Sequence, residues 1–266
     1  MNAAIRLTMG LCVVLVLNLG LVGSVVAAQE ADSGPPDLNR IAFVNCADQA
    51  PASTAAPAKP AKPAKPGKEW YKYSGIHWDD SMIPVPYVVD GGGDSDFLAG
   101  LRVSFATWEA DDQSYISFVC QDDSWTGVPS SFDGAGYSNG VNEVGWVCLS
   151  GSYPNAIAVT MIWYGSDKQI VEIDTAMNSD LPWTQNTVTG DPDTLTGAPG
   201  YYDVQDVMTH EAGHWLMLLD LYVKASSEQT MYGYGSTGEL KARSLESGDV
   251  AGLRKIYPGA DIPAAP

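Results

Sequence analysis

The chain has 266 residues, 45% of them hydrophobic, and carries 14 Lys+Arg against 32 Asp+Glu for a formal net charge of −18. Such a composition supports one ordinary domain with extensions. From Ser74 onward 27 acidic residues face 7 basic ones, a net of −20, and so acidic a surface repels phosphate backbones and anionic lipid, which excludes nucleic acid as a partner.

In chain order, Arg6 precedes a nearly unbroken apolar run from Leu11 to Val26, closed by the small residues Ala27 and Ala28. Residues 1–28 read as a secretory signal cut after Ala28, with a retained anchor as the rival reading; no basic cluster follows the run. The expected product is secreted and extracellular, without stable membrane association, and monomeric. Export makes disulfides available. Cys12 leaves with the signal. Cys120 and Cys148 each end an apolar run and are expected to staple adjacent strands, leaving Cys46 as a free thiol.

Residues 29–68 do not resemble core sequence. Three consecutive Ala-Lys-Pro triplets end at Pro66, and proline at every third position favours an extended polyproline spacer over helix or sheet. The piece before it, Asp37 to Ala47, is too short to fold alone. The whole of 29–68 is expected to be a pro-segment or a disordered tail.

The folded domain is expected over 69–258, with 259–266 as a tail. Residues 83–89 alternate and are β-branched, which predicts a strand. Asp94 and Ser95 are good N-caps for a helix through Ala110, in which Phe97, Leu101, Phe105 and Trp108 recur at helical spacing. Strands are predicted at 115–119, 143–149, 156–164 and 169–176, with 121–142 as a long loop. A second loop spans 178–200, and Asp203 then caps another helix. A last helix is predicted from Ser244, with Leu245, Val250, Leu253 and Ile256 on its apolar face. The order defines an α+β fold, a twisted sheet backed by helices.

The helix after Asp203 carries His210-Glu211-Ala212-Gly213-His214. Residues four apart share one helix face, with Cβ atoms about 5–6 Å apart, so both imidazoles reach one zinc ion. Glu211 is rotated about 100° away and sits beside the metal, where a general base belongs. The alternative is a core helix whose histidines are satisfied by carbonyls. A catalytic zinc needs a third protein ligand. His77, the remaining histidine, lies beside Trp78 at the domain's edge and reads as a packing residue. Asp220 is the candidate third ligand, provided that the chain leaves the helix and folds back.

His210-Glu-Ala-Gly-His214-Trp-Leu-Met217-Leu-Leu-Asp220 resembles the long zinc signature of the metzincin peptidases, HExxHxxGxxH/D. Thr230-Met231-Tyr232-Gly233 resembles their Met-turn. Arg243 to Tyr257 resembles the last helix of the matrixin branch, and Pro84-Val-Pro-Tyr87 with Phe105-Ala-Thr-Trp108 resembles the first strand and helix of bacterial matrixin-like enzymes. The resemblance covers about residues 69–258. It implies a mostly parallel sheet, one catalytic Zn2+ on His210, His214 and Asp220, Glu211 as general base, and Met231 beneath the metal. Met217 departs from the family, which has glycine there; a non-glycine residue held left-handed costs about 1–2 kcal/mol.

The implied activity is endopeptidase cleavage of protein or peptide substrates, bound as an added strand at a sheet edge, with the 169–176 strand as the candidate edge. An exported, inactive binding protein of this fold and a zinc hydrolase of non-peptide amides or esters are the alternatives. Matrixin pro-segments carry a zinc-blocking cysteine, which makes Cys46 a candidate latency switch; the 51–66 spacer reaches about 50 Å at about 3.1 Å per residue. Asp90, Asp94 and Asp96 form a candidate Ca2+ cluster that also has capping work to do.

Overall fold

The computed structural model describes residues 38–47, 70–134, 136–185 and 197–259. The expected signal at 1–28 and the Ala-Lys-Pro spacer lie outside these residues. The strands are β1 (Leu38–Ala47), β2 (Val85–Val89), β3 (Phe118–Asp122), β4 (Glu143–Val147), β5 (Ala156–Gly165), β6 (Ile170–Asn178), β7 (Trp183–Thr184), β8 (Tyr202–Asp203) and β9 (Tyr234–Gly235). The helices are α1 (Ser95–Glu109), α2 (Val204–Trp215) and α3 (Ser247–Ile256). Seven strands form one sheet in the order β3-β2-β4-β6-β5-β1-β9, and β7 and β8 pair separately. The fold is α+β, with a mostly parallel sheet backed by helices; among the described strands of that sheet, antiparallel pairing is confined to β6–β5 and β5–β1.

α1 begins where Asp94, in an extended conformation, accepts hydrogen bonds from the amides of Asp96 and Phe97. It buries Gly100, Leu101, Ser104, Phe105 and Trp108, one helical stripe, against α2. The Trp108 indole donates to the carbonyl of Thr209 at 2.8 Å, and the Ser104 hydroxyl to that of Gln205 at 3.2 Å. Trp215, at the end of α2, is fully buried against Phe105, Phe118 and Tyr87. These aromatic contacts clamp α2 between α1 and the sheet.

On the sheet's other face, the segment expected as an irregular loop is tied down by buried carboxylates. Asp174 accepts from the amide of Ser131 and the hydroxyls of Ser130 and Ser131, Glu143 from the amide of Ser130, and Glu172 from the hydroxyl of Ser138 and the amide of Gly140. Buried charges persist only with such partners.

Four expectations are corrected. Leu38–Ala47 is not a tail but a ten-residue strand inside the sheet, antiparallel to β5 from Leu38↔Gly165 to Asn45↔Ala158. The 169–176 strand is not an edge, because β6 lies between β4 and β5. The third strand runs 118–122 rather than 115–119; the Tyr115 amide donates to Tyr257 O at 3.2 Å, outside the sheet. Cys120 and Cys148 are free thiols. β2 lies between β3, which carries Cys120, and β4, which Cys148 follows. Two strand spacings are about 9–10 Å, beyond the roughly 7 Å Cα limit of a disulfide. The Cys148 thiol instead donates to Asp180 at 3.1 Å.

Candidate metal centre

α2 is held at both ends. At its start, Asp203 accepts from the amide of Asp206 at 2.9 Å, and the Arg243 guanidinium grips Asp203 through Nε at 2.7 Å and Nη2 at 2.6 Å in a buried pair. At its end, the Met217 amide donates to His214 O and the Leu218 amide to Gly213 O. This is the Schellman pattern, whose left-handed position usually holds glycine. Met217 holds it here, fully buried, with φ 60°. The reversed chain is then fastened by Leu219 N to Lys72 O at 2.9 Å and Leu221 N to Met231 O at 2.8 Å. The turn therefore delivers Asp220 to the histidines despite the missing glycine.

His210 Nε2 lies 3.2 Å, and His214 Nε2 3.5 Å, from Asp220 Oδ1. These are the edge lengths of a tetrahedral site with bonds of about 2.0–2.1 Å, whose ligand atoms are about 3.3 Å apart. All three atoms are buried without hydrogen-bond partners. The opposite ring nitrogens are engaged: His210 Nδ1 lies 2.7 Å from Thr230 O, and His214 Nδ1 2.8 Å from Leu218 O. A carbonyl only accepts, so each Nδ1 carries a proton and each Nε2 is the ring atom turned to the centre, able to bind a cation in place of a proton. The Tyr222 hydroxyl donates to Asp220 Oδ2 at 2.9 Å and turns Oδ1 inward. Among the described residues, His210, His214 and Asp220 form the single group of three or more such side chains able to hold a metal ion.

The charges respond to this crowding. Burial opposes ionisation of His210, but the adjacent Asp220 carboxylate prevails and raises its pKa to about 9. Burial would raise Asp220, and the two imidazoles override it, holding the carboxyl well below its usual range. A divalent cation replaces the proton these groups otherwise compete for. Glu211 is fully buried one position along the helix, its pKa raised by burial and partly restored by the imidazoles and Thr160. Its Oε2 accepts from Thr160 Oγ1 at 2.5 Å, while Oε1 has no partner.

Met231 lies under the helix: a Cβ on Gly213 would come within 2.1 Å of its sulfur, so α2 and this turn approach as only glycine allows. Asp249, on α3, accepts from the amides of Thr230 and Met231 at 2.8 and 3.2 Å and fixes the turn beneath the site.

The remaining sequence candidates are not part of the three-residue group. His77 is held by Tyr73 and Gln169, away from the centre. Asp90 accepts from the amide of Gly92, Asp94 caps α1, and Asp96 lies in the first turn of that helix. Cys46 lies at the end of β1, outside the converging set; burial, then Asp220 and Glu211, push its thiol pKa up. Three residues at the site escaped sequence reasoning. Phe43 stacks on His214 with centroids 4.2 Å apart and planes at 12°. Thr160 reaches it from β5, and Tyr222 supports Asp220 from behind. Only Tyr222 left a signal, two residues beyond a ligand.

No family model and no curated protein sequence matches the chain. Among the described residues no helix is long and apolar enough to cross a membrane.

Proposed function

We propose that the chain is a zinc-dependent endopeptidase of the metzincin class, secreted and acting on extended peptide substrates. The convergence of His210 Nε2, His214 Nε2 and Asp220 Oδ1, with Glu211 Oε1 free beside them, carries this reading. Two imidazole nitrogens and one carboxylate oxygen form a set suited to zinc, and three protein ligands leave a position open. Zinc held there would acidify a water molecule and polarise a peptide carbonyl.

The chain's own residues supply the rest. Tyr222 and the Thr230 and Leu218 carbonyls hold the ligands in orientation. The Thr160 hydroxyl fixes Glu211 Oε2, leaving Oε1 to take the proton of the attacking water and deliver it to the leaving amine. Burial keeps that carboxylate basic enough to do so. The test is casein hydrolysis with and without a chelator, beside metal analysis of Glu211→Ala. We expect one zinc per chain in both proteins and a loss of about 10²–10⁴-fold in hydrolysis in the variant. A metal-free active protein, or a variant with parental turnover, refutes the assignment.

A further inference from the structure

We propose that residues 130–134 and 136–142 form a clamp on the sheet, held shut by one proton shared between Glu172 and Asp174, and that the clamp loosens as pH rises. None of the groups that form it belongs to the metal centre, so it is independent of the peptidase reading.

The hydrogen bonds require that proton. Three carboxylates lie beneath the clamp: Glu143 from β4, and Glu172 and Asp174 from β6, the last two fully buried. Among the described residues, the hydrogen bonds they accept come from hydroxyls and amides rather than from Lys, Arg or His. The Ser130 oxygen lies 3.3 Å from Glu172 Oε1 and 3.2 Å from Asp174 Oδ2. A hydroxyl has one proton and donates to only one of them. Asp174 is the better supplied. Its Oδ2 also accepts the Ser131 amide at 3.0 Å and hydroxyl at 2.5 Å, and its Oδ1 accepts the Glu143 amide at 3.1 Å. On Glu172 the Ser138 hydroxyl and the Gly140 amide both go to Oε2, and Oε1 faces Ser130. A proton on Oε1 completes the set: Glu172 donates to Ser130, and Ser130 donates to Asp174. Without it, two buried like charges share a hydroxyl that serves one.

Burial raises the pKa of Glu172, and burial with the Glu172 and Glu143 charges raises that of Asp174. The surrounding elements bring no cation onto the pair. Arg40, from β1, donates to the Gly136 carbonyl at 3.3 Å and lies 5.1 Å from the centre of the Trp163 ring. From β5, the neutral Trp163 indole donates to Ser131 Oγ at 2.9 Å. Asp133 and Tyr137 are exposed on the clamp itself. Beneath it, Phe132 packs on Leu149, Ala156, Val159 and Ala176, the smaller apolar cluster, which loosening uncovers. A proton held more tightly in the closed form than in the open one ties closure to pH. Closure is firmest below the ordinary glutamate pKa of about 4.3. It weakens by about tenfold per pH unit above that, until the closed form also gives up its proton.

The experiment is hydrogen exchange of the full chain, read as protection factors of single amides from about pH 4 to about pH 9, beside Glu172→Gln. Glutamine keeps an acceptor for Ser138 and Gly140 and offers Ser130 an N–H in place of the carboxyl proton. We expect the Ser130, Ser131 and Gly140 amides of the parent to lose protection by about tenfold per pH unit above the free glutamate pKa, while those of the β5–β6 ladder keep theirs. In Glu172→Gln the same three amides should show protection that no longer varies with pH. A flat parental profile overturns the clamp, whether or not the variant folds. So does a parental loss shared equally by the β5–β6 amides, which is global unfolding, or a Glu172→Gln profile as steep as the parent's.

Discussion

Thr160 Oγ1 donates to Glu211 Oε2 at 2.5 Å, and behind it stand Thr175 Oγ1 at 2.9 Å and the Trp215 indole, which donates to Thr175 at 2.9 Å. The indole can only donate, so the hydroxyls line up in one direction and end on the carboxylate. A hydrogen bond to a charged group contributes about 1.5–3 kcal/mol. Thr160→Val should therefore lower kcat by about tenfold to a hundredfold. Thr160 also lowers the Glu211 pKa. Its loss raises that pKa, so the acidic limb of the rate profile should move to higher pH. Thr160→Ser should restore both, and kcat and KM measured across pH read them.

Of the three converging side chains, Tyr222 bonds to Asp220. Replacing it with phenylalanine removes the 2.9 Å bond to Oδ2 and frees the carboxylate to rotate. Outer-shell partners of metal ligands are typically worth about 10–100-fold in metal affinity. Tyr222→Phe should show that loss in competition with a zinc chelator, with the native circular dichroism spectrum retained.

Asp206 gives the protein a pH signature. Burial, then the charges of Glu239 and Asp203, raise its pKa to about 7. The folded chain thus holds a proton that the unfolded chain has released across the window from about 4 to about 7. Stability is fullest below that window and falls as pH rises through it, by about 4 kcal/mol if the whole shift of about 3 units is felt. Asp206→Asn keeps an acceptor for the Ala242 amide. Urea titrations from pH 4 to 8 should show the variant losing this slope and exceeding the parent at pH 8.

Asp249 fixes the turn under the centre by accepting the amides of Thr230, Met231 and Glu246. Asp249→Ala leaves buried donors unmet at about 1–3 kcal/mol each. We expect a destabilisation of about 3 kcal/mol or more in urea denaturation, together with weaker zinc binding, because Thr230 O orients His210.

Much of the centre was legible in the sequence because it is local. His210, Glu211 and His214 are related by helix geometry, Asp203 by capping, and Asp220 by a single turn. That turn also shows the limit of a residue-type rule. Met217 occupies the left-handed position because flanking backbone bonds and full burial outweigh its strain. What was not legible depends on strand order. Nothing in the spacing of Cys120 and Cys148 reveals that β2 lies between them. Nothing near Leu38–Ala47 reveals a partner strand more than a hundred residues away. Phe43 and Thr160 belong to those two paired strands, so their arrival at the site follows from register alone.

The pairing of β1 with β5 has a further consequence for the molecule's behaviour in concentrated solution. Ala156 to Tyr164 is a run without charge or proline. Such a strand, once bare along one side, is a template for recruiting another like it. While Leu38–Ala47 is seated, that side is closed. Removal of the segment should therefore make the chain prone to self-association through Ala156–Gly165, seen as concentration-dependent sedimentation and relieved by a lysine at the outward-facing end of the run.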